Sequence, residues 1–224
     1  MDWPAIALTA RLAAWVCAIL LVLGTPLAYW LAFTRWRYAF IIEAIVALPL
    51  VLPPTVIGLY VLIAIGADSP LGRAWQQLTG HGLAFTFEGL VLASVLYSLP
   101  FTVQPLVAAF GRVDTSLVEA SATLGASRWR TFRQVILPLS RAGVITAIVL
   151  SFAHTVGEFG IVLMVGGNLP GVTRTVSITI YDHVQGLDYA AANRTALVLV
   201  AFSFVVLAIT YGLQRRPWSP AVSR

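Results

Sequence analysis

His154 and Glu158 stand four residues apart in the run HTVGEFG, a spacing that places an imidazole and a carboxylate on one face of a helix. Such a pair can relay protons, and an ionisable residue in an apolar segment is a functional candidate by default. It can also be structural, with the Glu158 carboxylate ordering helix packing through His154 or a backbone donor. A second group lies in EASATLGASRWRTFRQVILP, residues 119–138, where Glu119 offers a carboxylate and Arg128, Arg130 and Arg133 crowd together. A third is LPLVLPPTVIGLYVL, residues 48–62. Its prolines free carbonyls and bend a helix, so Pro53, Pro54 and Thr55 are candidates for lining a path, and a simple kink explains them equally well. The single cysteine, Cys17, can form no intramolecular disulfide and has no second thiol with which to hold a metal, so its role is packing.

The elements that must hold these groups are oily. The 224 residues are 59% apolar and 10% charged, where a soluble domain carries about a quarter charged residues. Stretches without Asp, Glu, Lys or Arg cover 12–34, 44–67, 89–111 and 195–214, and a fifth, 142–173, is interrupted only by Glu158. About 20 residues of helix cross the hydrocarbon core, and only a helix satisfies its own backbone there. The reading is an all-α integral membrane protein with five spans, near 12–34, 44–66, 89–111, 139–163 and 195–214. A sixth is possible within 166–190, where Ser177–Tyr181 is apolar enough to dip into the bilayer. The first apolar run is too long for a signal-peptide core and is taken as a retained span.

Arginine placement orients the chain. With the C-terminus in the cytoplasm, Arg35, Arg37, Arg112, Arg128, Arg130, Arg133, Arg141, Arg215, Arg216 and Arg224 lie inside, against Arg11, Arg73, Arg174 and Arg194 outside. The N-terminus is then outside, and the formal charge of +5 reflects membrane orientation rather than nucleic-acid binding.

Residues 112–138 form a loop between the third and fourth spans. Ser116-Leu117-Val118-Glu119 has the pattern of a capping box, so a short helix should start there and stop at Gly125. Ser127 can cap a second helix in which Trp129, Phe132 and Ile136 share a face while the arginines reach water and headgroups, and Pro138 suits the start of the next span. The result is a helix–glycine–helix elbow on the inner membrane surface.

Glu119-Ala120-Ser121, then Gly125, then Val135-Ile136-Leu137-Pro138 resembles the E-A-A, three residues, G, nine residues, I-x-L-P signature of ATP-binding-cassette importer permeases, with Ser121 and Val135 departing from it. The LPLVLPP run, the GEFG tetrad at 157–160, the GGN-LPG-TRT cluster and the IYDHV tail extend the resemblance over nearly the whole chain, toward permeases of the molybdate/sulfate class. The resemblance implies a type I importer fold in one transmembrane permease domain, residues 1–224, in the bacterial inner membrane. It implies that the elbow is a coupling helix docked on a separate ATPase, with Glu119, Ala120, Ser121, Gly125, Leu137 and Pro138 as contact and hinge residues. Pro53, Pro54, Thr55, His154, Gly157 and Glu158 are then the candidates for path or gate.

The chain has no lysine, so it cannot build a G-x-x-x-x-G-K-[ST] phosphate loop. ATP and Mg belong to the partner ATPase, and no cofactor or metal is expected in this chain. Five helices are few for enclosing a polar path, which favours a homodimer around a two-fold axis. The resemblance further implies an extracytoplasmic oxyanion-binding protein, for which the loop 166–194 is a docking surface or else a re-entrant cap of the outer gate. The cargo it implies is molybdate, with tungstate accepted. A sulfate or thiosulfate importer is the alternative, because GEFG and the elbow are shared with those permeases. A proton-coupled secondary carrier using His154 and Glu158 predicts inverted repeats that the halves do not display.

Overall fold

A computed structural model describes residues 2–214, so Arg215, Arg216, Ser219 and Arg224 lie outside the described residues. Within them every element is helical. They are α1 (Trp3–Phe33), α2 (Ala39–Val51), α3 (Pro54–Ile65), α4 (Pro70–Thr79), α5 (Phe87–Phe110), α6 (Thr115–Thr123), α7 (Arg128–Thr131), α8 (Leu137–Leu139), α9 (Arg141–Gly157), α10 (Gly160–Gly166), α11 (Val176–Gln185) and α12 (Tyr189–Gln214), with a π-helical turn over Phe132–Ile136 between α7 and α8. Three helices are long and apolar enough to cross a membrane unaided, Trp3–Phe33, Phe87–Phe110 and Tyr189–Gly212, and counting each of two bent pairs as one span, Ala39–Val51 with Pro54–Ile65 and Arg128–Leu139 with Arg141–Gly157 (bent by 77°), gives up to five.

Helices α1, α5 and α9 form the centre. Leu12, Val16 and Leu20 of α1 pack with Leu90 and Tyr97 of α5 and Val162 of α10 in one cluster, while Ala28, Leu106, Phe110, Ile136 and Ala147 form a second cluster toward the elbow. Small residues allow close approach: a Cβ on Gly24 would stand 3.2 Å from Thr102 Cγ2, and one on Gly143 would collide with Ala109. A seam of hydroxyls runs between α5 and α9. Ser98 Oγ meets Thr155 Oγ1 at 3.2 Å and Thr102 Oγ1 meets Ser151 Oγ, all four residues being buried. The first span begins earlier than residue 12 because Arg11 is accommodated inside α1, its guanidinium 4.4 Å above the Phe87 ring.

The second span is not one helix: α2 and α3 meet at 111°. A residue preceding proline is pushed out of the α region, and here two in succession, Leu52 (ψ 138°) and Pro53 (ψ 138°), are extended. Pro49 lies within α2 without ending it. The fourth span, expected over 139–163, also breaks: α9 stops at Gly157, Glu158 is extended at ψ 133°, and α10 starts afresh at Gly160. No sixth span forms in 166–190, since α11 has ten residues and reaches only about 15 Å. Its Val176, Ile178 and Thr179 are buried against the protein instead.

Candidate functional site

The two broken spans meet. Helices α3 and α10 pack together so tightly that a Cβ on Gly160 would stand 2.7 Å from Pro54 Cβ, and one on Gly58 would stand 2.8 Å from Met164 Cβ. Pro53, Pro54 and Thr55 are thereby brought to the break that holds Gly157 and Glu158. Thr55 and Gly157 are exposed, and a Cβ at Gly157 would meet nothing within 4 Å. Irregular backbone at membrane depth is tolerated where it lies against protein or lines a cavity.

His154 sits in the last turn of α9, stacked on Phe101 at 3.9 Å and tilted against Tyr97 at 5.0 Å. Its Nε2 is 3.7 Å from Glu158 Oε2, within reach of an ion pair and too long for a hydrogen bond, and Nε2 has no hydrogen-bond partner. Glu158 is buried and points its other oxygen elsewhere: Oε1 accepts from the backbone N–H of Ile161 at 3.1 Å, closing the open start of α10. Glu158→Ala removes that acceptor and is expected to lower stability by about 1 kcal/mol. Glu158→Gln keeps an oxygen in place and should retain most of it. Thermal unfolding of both variants in detergent checks this, and equal losses would mean that the charge rather than the acceptor matters.

The elbow is bare. Helix α6 buries none of its residues, and Glu119, Ala120, Leu117 and Leu124 are exposed, Leu124 at 88%. The helix starts one residue before Ser116, because Asp114 and not Ser116 is its cap: Asp114 Oδ1 accepts from Ser116 N at 2.9 Å. That bond holds the Asp114 carboxyl below its usual range. Glu119 consequently lies too far along α6 to close a capping box, and its carboxylate has no partner among the described residues.

Gly125 has φ +78°, its N–H bonded to Ala122 O at 2.9 Å, while Ala126 N bonds to Ser121 O at 3.1 Å, so the chain reverses in a left-handed cap. Ser127 caps α7 by accepting from Arg130 N at 3.3 Å, and Ser121 Oγ ties α6 to Thr131 Oγ1 at 2.9 Å. The face predicted for Trp129, Phe132 and Ile136 grades from exposed to buried, with Trp129 at 66% and Ile136 at 0%. Leu137 and Pro138 follow the π turn. Proline cannot donate to the carbonyl four residues back and its ring crowds that carbonyl, which suits the wider turn.

Two groupings escaped sequence reasoning. The hydroxyl seam had a signal, the spacing of Ser94, Ser98 and Thr102 four residues apart on one helix face. The second lies after α10, where Asn168 Nδ2 donates to both carboxylate oxygens of Asp182 at 2.8 and 2.7 Å and Arg174 Nε donates to Asn168 Oδ1 at 2.6 Å. This closed triad anchors the NLPG loop to α11.

Apolar helices of spanning length, a tight crossing of α3 with α10 and a bare elbow describe an all-helical membrane protein with an exposed docking element. A profile for the binding-protein-dependent transport system inner membrane component family matches residues 24–217, and the chain belongs to that family. Within it, the chain is 53% identical over 214 residues to the molybdenum transport system permease protein ModB of Azotobacter vinelandii, covering 96% of this chain and 95% of that one. It is 33% identical over 216 residues to the protein of the same name from Escherichia coli K12, covering 96% and 94%. Among solved structures, it superposes on a bacterial ABC transporter that imports alginate with a TM-score of 0.76 at 17% identity, covering 96% of this chain and 79% of that one. An inward-facing MetNI methionine ABC transporter gives 0.72 at 17% identity, covering 94% and 95%. Those two likenesses show the shared fold.

Proposed function

We propose that this chain is the membrane-spanning permease subunit of an ATP-driven molybdate importer, with the elbow as its coupling helix. The observation that carries the coupling role is α6: a short helix with no buried residue, ending in a left-handed glycine, presenting an unpaired Glu119 and small side chains at Ala120 and Ser121. Ser121 and Val118 tether this helix to its own chain, and the rest of its surface is left for a partner. The proposed partner is an ATP-binding-cassette ATPase, which binds the ATP and Mg that a chain without lysine cannot cradle.

Two copies of this chain, facing each other across a two-fold axis, enclose the path. Thr55 and Gly157, exposed at the crossed breaks, line it, while Pro53, Pro54 and Glu158 fix the shape of the breaks and His154 packs behind them. Neither α3 nor α10 carries an arginine, so a dianion is passed on rather than held, and affinity resides in an extracytoplasmic binding protein. The loop joined by Asn168, Arg174 and Asp182 is the proposed seat for that protein.

Molybdate as cargo rests on the relatives named for molybdenum transport. Uptake of labelled molybdate by the reconstituted complex is expected, with tungstate handled nearly equally and sulfate much less well, since molybdate and tungstate are tetrahedral dianions of similar size. Stimulation of the ATPase by a sulfate-loaded binding protein, and none by a molybdate-loaded one, would replace molybdate with sulfate and leave the permease reading intact.

The proposed orientation puts the N-terminus outside and the elbow in the cytoplasm of a bacterial cell. A membrane-impermeant thiol reagent added from outside should then label cysteines placed at Ser69 and Leu169 and miss one at Ser127. Native Cys17 is buried and gives no background. Labelling at Ser127 from outside reverses the assignment.

A further inference from the structure

A groove of about 590 Å³ runs between α1 and the elbow, a volume within the range of small-molecule sites. Leu21, Val22, Pro26 and Tyr29 of α1 form one wall, and Phe132, Leu137 and Val144 are on the other. Arg128 and Trp129 stand at its mouth, and no acidic side chain lines it.

We propose that this groove seats one anionic phospholipid of the elbow-side leaflet, an acyl chain lying along α1 and the phosphate against the Arg128 guanidinium. Length is the first argument. From Tyr29 to Leu21 the wall rises about 12 Å, close to half of the roughly 30 Å hydrocarbon core, so the groove spans the depth of one leaflet.

Charge is the second argument. Arg128 has no ion pair or hydrogen bond from its side chain among the described residues, and Arg130 and Arg133 are exposed on the same short segment. The Arg128 guanidinium on the lining of an apolar slot complements a phosphate with a chain beneath it, with Arg130, whose Nε donates to Gln134 Oε1 at 3.1 Å, and Arg133 adding positive charge nearby in the sequence, and basic pockets between spans recognise anionic headgroups in this way. Trp129, 66% exposed beside Arg128, sits as interfacial tryptophans do, with its ring at headgroup level. A neutral partner helix would leave the Arg128 charge unanswered.

A lipid held here touches both α1 and the segment that carries the elbow, so the composition of the leaflet would set how firmly the elbow is braced.

The test uses the full-length chain in nanodiscs with a phosphatidylglycerol bearing a photoactivatable acyl chain. Cross-links are expected at residues 21–29 and 129–144. Unlabelled phosphatidylglycerol should compete about fivefold better than phosphatidylcholine of the same chains, the effect of roughly one near-surface arginine. Arg128→Gln should remove that advantage and Arg73→Gln should leave it. Val22→Trp, which fills the slot from an exposed position, should abolish cross-linking there. Equal competition by the two lipids in the wild type, or cross-links confined to other segments, overturns the proposal even if a variant fails to fold. Loss of cross-linking on adding the ATPase assigns the groove to a protein partner, and loss on dimerisation assigns it to a second copy; either outcome also overturns it.

Discussion

Gly160→Leu should abolish uptake while leaving the chain in the membrane. A Cβ on Gly160 would lie 2.7 Å from Pro54 Cβ, a distance real Cβ atoms essentially never show, and the atom it meets belongs to a rigid ring. Helices α3 and α10 must therefore move apart. Overpacking of a tight contact costs about 1–3 kcal/mol, so Gly160→Ala should lower thermal stability by that amount and Gly160→Leu by more. The loss of function should exceed the loss of stability, because the crossing shapes the exposed surface at Thr55 and Gly157. Pro54→Gly removes the opposing Cβ and should restore part of the uptake of Gly160→Ala, whereas Pro54→Ala, which retains a Cβ, should not. Wild-type uptake by Gly160→Leu would mean that the crossing takes no part in transport.

Gly125→Val is expected to uncouple the elbow without unfolding anything. A Cβ there would meet no atom within 4 Å, so the penalty is purely one of backbone conformation at φ +78°. An L-residue in the left-handed region costs about 1–2 kcal/mol, with a β-branched one at the upper end. Because α6 buries nothing, the cost falls on the angle between α6 and α7 and not on the core. Binding of the ATPase to the purified permease should weaken roughly tenfold, 1.4 kcal/mol being a factor of ten. Glu119→Lys should do the same by reversing an exposed charge, with an unchanged melting temperature. Normal copurification and uptake in both variants would remove the coupling role of the elbow.

The elbow was legible because it is written in short-range rules: a glycine where φ must be positive, a serine where a helix needs a cap. Even there one rule competed with another. Ser116 and Asp114 both suit an N-cap, and the carboxylate two residues upstream takes the position, which strands Glu119 in mid-helix. Three of the expected spans, those over 12–34, 89–111 and 195–214, were legible from charge-free length. The breaks in the other two were not, because hydropathy summed over 44–66 or 139–163 is blind to direction: α2 and α3 are equally apolar on both sides of a 111° bend. Pro53-Pro54 announced a bend, while the meeting of that bend with GEFG depends on Gly160 and Gly58 lying opposite Pro54 and Met164, a fact of tertiary packing. The hydroxyl seam was hidden for a related reason, since serines and threonines in a span merely dilute its hydropathy.

That seam also bears on motion. Thr155 Oγ1 donates to Ser151 O at 2.8 Å and Ser151 Oγ donates to Ala147 O at 2.7 Å, so both hydroxyls of α9 are satisfied within their own helix and only accept across the seam. The hydroxyls of Ser98 and Thr102 can turn in the same way to carbonyls four residues back in α5. Sliding α9 over α5 would then strand none of these four hydroxyls. An interface of interlocked leucines would resist such travel; at this seam the hydroxyls act as a lubricant, and under the proposed coupling role a pull on the elbow would run along it to the broken end of α9.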